Sequence, residues 1–170
     1  MLCGSDEYII LDCGEGTYGQ IVRIFGDDSN HVLSSLRAIF VSHLHADHHI
    51  GLIGLLQARK KAMPVDKFSP IHLLAPHHIM SWLHGYHQDF EPILDLFKII
   101  PNSNFLQHGE TLFENDDIPS LLKSLNLIKI QTARVIHCPN AFGISLTHKL
   151  GWKITYSGDT MPCQELVEIG

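Results

Sequence analysis

The sequence is short of positive charge, of paired cysteines and of long apolar runs, and each shortage removes a class of function. Only 12 Lys and Arg stand against 18 Asp and Glu, a net charge of −6. That argues against a broad basic surface for nucleic acid, while leaving room for a local one. The four cysteines, Cys3, Cys13, Cys138 and Cys163, form no C-x-x-C pair, which argues against a zinc ribbon or a dithiol redox motif. No secretory apolar segment opens the chain, so these cysteines are expected to be reduced thiols of an intracellular protein. Residues 50–56 are apolar but interrupted by glycines, far short of the roughly 20 residues a membrane helix needs, so no membrane partner is expected. There is no internal repeat and no low-complexity linker.

What is present is a chain of 170 residues, 45% hydrophobic and 18% charged, enough for one globular domain with a real core. Histidine is in excess: 13 residues, more than all Lys and Arg together. Buried strands are expected at Tyr8–Leu11, at residues 38–41, at Ile71–Ala75 and at residues 127–136, 142–147 and 152–156, with Gly151 as a turn. Helices are expected after Thr17 as a cap, over residues 50–62 with Arg59, Lys60 and Lys61 as a solvated basic end, and over residues 77–87. Residues 26–30 read as a loop, and residues 101–126 as loops with a short helix. Mixed strands and helices predict an α/β domain, a sheet covered by helices. The abrupt start and the stop at Gly170, just after a helix start, suggest a fragment of a longer chain.

The densest chemical signal is His43-Leu44-His45-Ala46-Asp47-His48, immediately after a hydrophobic strand. Four zinc-type ligands in six residues are far more than a polar loop collects by chance, and zinc takes imidazole nitrogen and carboxylate oxygen at about 2.0–2.2 Å. In extended backbone His43 and His45 point the same way and can reach one ion. Asp47 and His48 fall where the chain turns into a helix and can face a second.

These residues resemble the metallo-β-lactamase superfamily signature H-x-H-x-D-H. The order of four motifs is more specific. Residues 12–17 (Asp-Cys-Gly-Glu-Gly-Thr), residues 42–48 followed by Gly51-Leu52, His137-Cys138 followed by Ala141-Phe142-Gly143, and residues 156–160 (Tyr-Ser-Gly-Asp-Thr) are similar to the ribonuclease Z family of tRNA 3′-processing endonucleases. Residues 75–87 and 159–163 resemble the carboxy-terminal half of its long, two-halved eukaryotic form. The resemblance implies a metallo-β-lactamase fold, an αβ/βα sandwich incomplete at both ends, with residues 1–170 as one partial domain. It implies that His43, His45 and His137 hold a first Zn²⁺, that Asp47 and His48 hold a second, and that Asp159 bridges them. Taken alone, His137 would be an ordinary strand-end histidine and Asp159 a turn aspartate. Asp12 either orients the metal loop from behind the ligands or serves as a turn former before Gly14.

The implied chemistry is hydrolysis that removes the 3′ trailer from precursor tRNA, leaving a 3′-hydroxyl on the tRNA and a 5′-phosphate on the trailer. Two zincs about 3.5–4 Å apart would polarise the phosphodiester and ionise the attacking water. Asp47 would be the catalytic residue that accepts or shuttles its proton. The implied partners are precursor tRNA and the amino-terminal half of the same long form, and the implied compartments are nucleus and mitochondrion. A further zinc histidine and a Glu/His pair follow the Gly-Asp-Thr motif in the family and do not follow it within these residues, so the second site is expected to lack a ligand and the 170-residue chain to cleave poorly. Asn140 stands where relatives often carry histidine. Only 21 residues separate His137 from Asp159, leaving no room between them for the tRNA-gripping arm of short forms. Two other readings compete: a superfamily hydrolase of small esters or thioesters, and a catalytically inactive metal-binding domain.

Overall fold

The computed structural model describes residues 7–107 and 116–170. Strand β1 (Tyr8–Leu11) leads to helix α1 (Thr17–Phe25), a 3₁₀ turn at Gly26–Asp28 and helix α2 (Ser29–Ser34). Strand β2 (Leu36–Phe40) is followed by the single-turn helix α3 (Ala46–His49) and helix α4 (Leu52–Ala62). Strand β3 (Ile71–Ala75), helix α5 (Ile79–Asp89) and strand β4 (Phe97–Pro101) come next. Helix α6 (Asp117–Ser124), strands β5 (Leu127–Arg134), β6 (Phe142–His148) and β7 (Lys153–Tyr156), and helix α7 (Gln164–Ile169) follow.

Strands β1 to β4 form a parallel sheet in chain order, and β5 to β7 form an antiparallel one. The period of two along each strand divides its side chains between two cores. Ile39 and Val41 of the second strand region, with Ile71, Leu73 and Ala75 of β3, face a helical layer that contributes Ile21, Leu33, Leu52, Leu55, Leu56, Ile79 and Leu83. Ala38, Phe40, Leu74 and Ile100 face the other way, onto Leu127, Ile130, Phe142, Ile144 and Leu146 of the antiparallel sheet. Both faces of the parallel sheet are therefore dry, which is why its strands read as unbroken apolar runs. Phe40 is fully buried between the sheets, where truncating a large side chain typically costs about 3–5 kcal/mol. Among the described residues no helix is long and apolar enough to cross a membrane.

Several expectations need correction. Gly16, at φ 83°, occupies the cap position of α1; Thr17 is the first helical residue, and its Oγ1 donates to the Gly14 carbonyl at 2.8 Å. Residues 26–30 are not a loop but a 3₁₀ turn running into α2, held by burial of Val32 and Leu33. The helix expected from residue 50 starts at Leu52. Arg59 is not part of a solvated helix end. It is 2% exposed and donates to the carbonyls of Leu36 (3.1 Å) and Ser69 (2.7 Å), tying α4 to the sheet. Burial, with Arg37 nearby, lowers its pKa to about 10. Strand β4 was not expected at all. Part of the segment read as loops with a short helix, residues 108–115, lies outside the described residues; the rest contains a 3₁₀ turn at Asn102–Phe105 and α6.

Candidate metal centre

The carboxyl ends of β1 and β2 lie side by side, where open α/β sheets usually hold ligands. The Asp12 amide donates to the Phe40 carbonyl at 2.8 Å, and Cys13 and His48 are joined backbone to backbone at 2.8 Å. Glycine makes this close approach possible. A Cβ on Gly14 would collide with the carbonyl of Asp47, and one on Gly51 with the carbonyl of Gly14. The antiparallel sheet is stitched to the same point by the Phe142 amide, which donates to the Ser42 carbonyl at 3.0 Å.

Three imidazoles converge here. His43 Nε2 lies 3.0 Å from His45 Nδ1, and His137 Nε2 lies 3.1 Å from the same atom. His45 sits in extended backbone just before α3, so its ring stays beside that of His43 while the chain turns into the helix. The strand pairing of residue 136 delivers His137: the Met161 amide donates to the Ile136 carbonyl at 3.0 Å, and the Ile136 amide to Thr160 Oγ1 at 3.1 Å. The same pairing brings Asp159 alongside. Its Oδ2 lies 3.4 Å from His48 Nε2 and 3.9 Å from His137 Nε2. Asp47 lies at the margin: its side chain is 80% exposed and its Oδ2 is 3.7 Å from His48 Nε2.

Asp12, at φ 62°, is the hub behind these rings. One oxygen accepts the Ser42 amide at 2.7 Å. The other accepts the Ser42 hydroxyl, the His48 Nδ1–H and the Tyr156 hydroxyl, each at 2.7 Å. Because the Ser42 hydroxyl donates to Asp12, its oxygen is left to accept His43 Nδ1–H at 2.9 Å. Both His43 and His48 thereby hold their ring protons on Nδ1 and turn a bare Nε2 inward, as metal-ligating histidines require. Gly158 lets the turn carrying Asp159 approach, since a Cβ there would meet the Ser42 Cβ at 2.8 Å.

Electrostatics sort the histidines. Burial, then the neighbouring rings of His48, His45 and His137, hold the His43 pKa below 6.5, so it is a neutral imidazole. For His48 burial acts against the cation, but the hydrogen bond and charge of Asp12, then Asp159 and Asp47, raise the pKa above 6.5. Burial, reinforced by Asp12 and opposed by a hydrogen bond with Thr17, pushes the Cys13 thiol up to about 12.

Two groups of donor atoms, each within 4.8 Å of one another, result: His43, His45, His137 and Cys138, and His43, His48 and Asp159. Nitrogens bound tetrahedrally to one zinc at about 2.0–2.1 Å stand roughly 3.3 Å apart, so the first group fits zinc with little adjustment. Of the residues singled out from sequence, His43, His45, His48, His137 and Asp159 enter these groups and Asp47 does not. Ser42, Tyr156 and Cys138 had no expected role. All three lie inside the recognised motifs; three-dimensional contact with Asp12 marks the first two, and proximity to the ring nitrogens marks Cys138.

A family model described as "Anti-Pycsar protein Apyc1" matches residues 1–169. Over 97% of its length the chain is 45% identical to zinc phosphodiesterase ELAC protein 2 of Macaca fascicularis and 47% identical to mitochondrial ribonuclease Z of Drosophila melanogaster. It spans only 20% and 21% of the length of these curated relatives. A crystal structure of a long-form RNase Z from yeast superposes with a TM-score of 0.83 at 28% identity, covering 94% of this chain and 25% of that one. The metallo-β-lactamase fold protein YhfI of Bacillus subtilis shares the fold at a TM-score of 0.58 and 14% identity, covering 92% of this chain and 53% of that one.

Proposed function

This chain belongs to the family whose model is described as "Anti-Pycsar protein Apyc1", has the metallo-β-lactamase fold and is homologous to ribonuclease Z, and from that premise we propose that it forms the metal-holding part of a zinc-dependent endoribonuclease that removes the 3′ trailer from precursor tRNA. The observation that supports it most is the meeting of His137, from the antiparallel sheet, with His43 and His45, from the end of the parallel one.

Residues 1–170 are one partial domain of a longer protein. His43, His45 and His137 hold the first of two zincs, His48 with Asp47 the second, and Asp159 lies between the positions. Zinc in these positions supplies a Lewis acid that polarises a phosphodiester oxygen and makes a water acidic enough to ionise near neutral pH. Asp12, directly at His48 and through Ser42 at His43, holds the ring proton of each neutral imidazole on Nδ1, so that Nε2 is the nitrogen offered inward. Asp47, exposed at the mouth beside His48, takes the proton released by the attacking water and passes it to solvent. The acidic balance of the chain supports a tRNA grip on other parts of the whole protein, its amino-terminal half among them. An intracellular, mitochondrial setting is supported by the name of the Drosophila relative, and a nuclear one by family resemblance.

The test is a chimera in which these residues replace the matching segment of the Drosophila relative, offered a 3′-extended precursor tRNA and, separately, an aryl ester. Trailer removal that is abolished by His43→Ala is expected. A folded, zinc-loaded chimera that hydrolyses the ester and leaves the precursor intact would overturn the reading.

A further inference from the structure

We infer that the thiolate of Cys138 is the fourth ligand of the first metal position, closing it as a three-histidine, one-cysteine site. This rests on the metal-binding reading above and adds a coordination state to it.

The Cys138 Sγ and the ligand nitrogens of His43, His45 and His137 all lie within 4.8 Å of one another. Zinc accepts thiolate at about 2.3 Å beside imidazole at about 2.0–2.1 Å, so the sulfur and the rings would close to roughly 3.5 Å around one ion. The backbone holds the sulfur there. The Cys138 carbonyl accepts the Ala141 amide at 3.2 Å, the Ala141 carbonyl accepts the Val135 amide at 3.1 Å, and Asn140 takes the left-handed φ of 60° that closes the turn. The other described thiols are engaged elsewhere. Cys13 is fully buried and its thiol is held protonated, and Cys163 Sγ points to the Arg134 carbonyl at 3.3 Å. Cys138 is half-buried and borders a small cavity lined by Leu44, His45, Pro76 and His78, so solvent reaches it.

On binding, the sulfur–hydrogen bond breaks, its proton goes to solvent, and a sulfur–metal bond forms without change of oxidation state. Four protein ligands leave no corner for water, which is the arrangement of structural rather than catalytic zinc. Cys138 therefore holds the position in a resting form.

The test loads the 170-residue chain with one equivalent of Co²⁺. Visible d–d bands of tetrahedral cobalt report the histidines, and a near-ultraviolet thiolate-to-cobalt charge-transfer band reports sulfur. Both are expected in the wild type. Cys138→Ser should lose the charge-transfer band and keep the d–d bands, while Cys163→Ser keeps both. In wild-type chain, one equivalent of Zn²⁺ should also slow alkylation of Cys138 by iodoacetamide, and a chelator should restore it. Visible bands without charge transfer, charge transfer that survives Cys138→Ser, or alkylation indifferent to zinc would overturn the thiolate ligand while sparing the metal-binding reading. A folded chain with no tetrahedral cobalt bands would overturn both.

Discussion

The ring nitrogens of His43 and His137 stand 3.0 and 3.1 Å from His45 Nδ1, with His43 fully buried and the other two rings open to solvent. Around His48 the spacing opens to 3.4 Å for Asp159 and 3.7 Å for Asp47, whose side chains are 52% and 80% exposed. The first position would be built from three ring nitrogens already near the spacing zinc needs, with the His43 ring proton set through Ser42 by Asp12. The second would be built from His48, with Asp159 on a turn and Asp47 on the single-turn helix α3. Preorganised ligands bind with less ordering cost, so the two positions should differ in affinity even though they share one hub, Asp12.

That contrast can be broken at graded cost. The largest effect is expected from His43→Ala, which removes a ligand common to both donor groups; zinc affinity in a competition titration should fall more than roughly 100-fold, beyond the range for residues that only orient ligands. Asp12→Ala should weaken zinc binding by about 10–100-fold while leaving every ligand in place, because the ring protons of His43 and His48 lose their acceptor chain. His48→Ala should separate the positions: the second zinc is lost, while the first keeps its affinity within about threefold, as expected where the altered side chain supplies none of its ligands. An equal loss at both positions would erase the distinction.

The smallest effect sharpens the comparison from outside. His72, in β3, is held by fold and not by metal: its Nδ1–H faces the Arg37 carbonyl at 3.4 Å. Burial holds its pKa below 6.5, against that hydrogen bond and Asp117 and aided by Lys98 and Arg59. The folded state then binds fewer protons than the unfolded one just below pH 6.5. Its contribution to stability is complete above that pH and is lost as pH falls through the depressed folded value. Denaturant unfolding of zinc-loaded protein should show a shallower decline with acid in His72→Gln than in wild type, and identical slopes would contradict the assignment.

The segments that converge at the candidate centre were legible in the sequence because the residue types crowd them: His43, His45 and His48 fall within six positions, and His137 and Asp159 belong to recognisable motifs. The strands of the parallel sheet were legible because both their faces are apolar. Strand β4 was not, since Phe-Lys-Ile-Ile-Pro is short, carries an exposed lysine at its second position and ends in a proline tolerated on an edge. Helix α2 is spelled with Ser, Asn and His and exists because Val32 and Leu33 are buried by neighbours distant in sequence. Arg59 looked like one more solvated charge because its two carbonyl partners lie 23 and 10 residues away. The convergence of Ser42, His48 and Tyr156 on one carboxylate spans 144 positions, and no local pattern encodes it.

The measurement that bears most directly on the unequal pair is zinc stoichiometry by equilibrium dialysis of the folded 170-residue chain across a range of buffered free zinc. One ion bound firmly, with any second bound at least about tenfold more weakly for want of preorganised ligands, is the expected result. Two ions of equal affinity, or none in a folded chain, would contradict it.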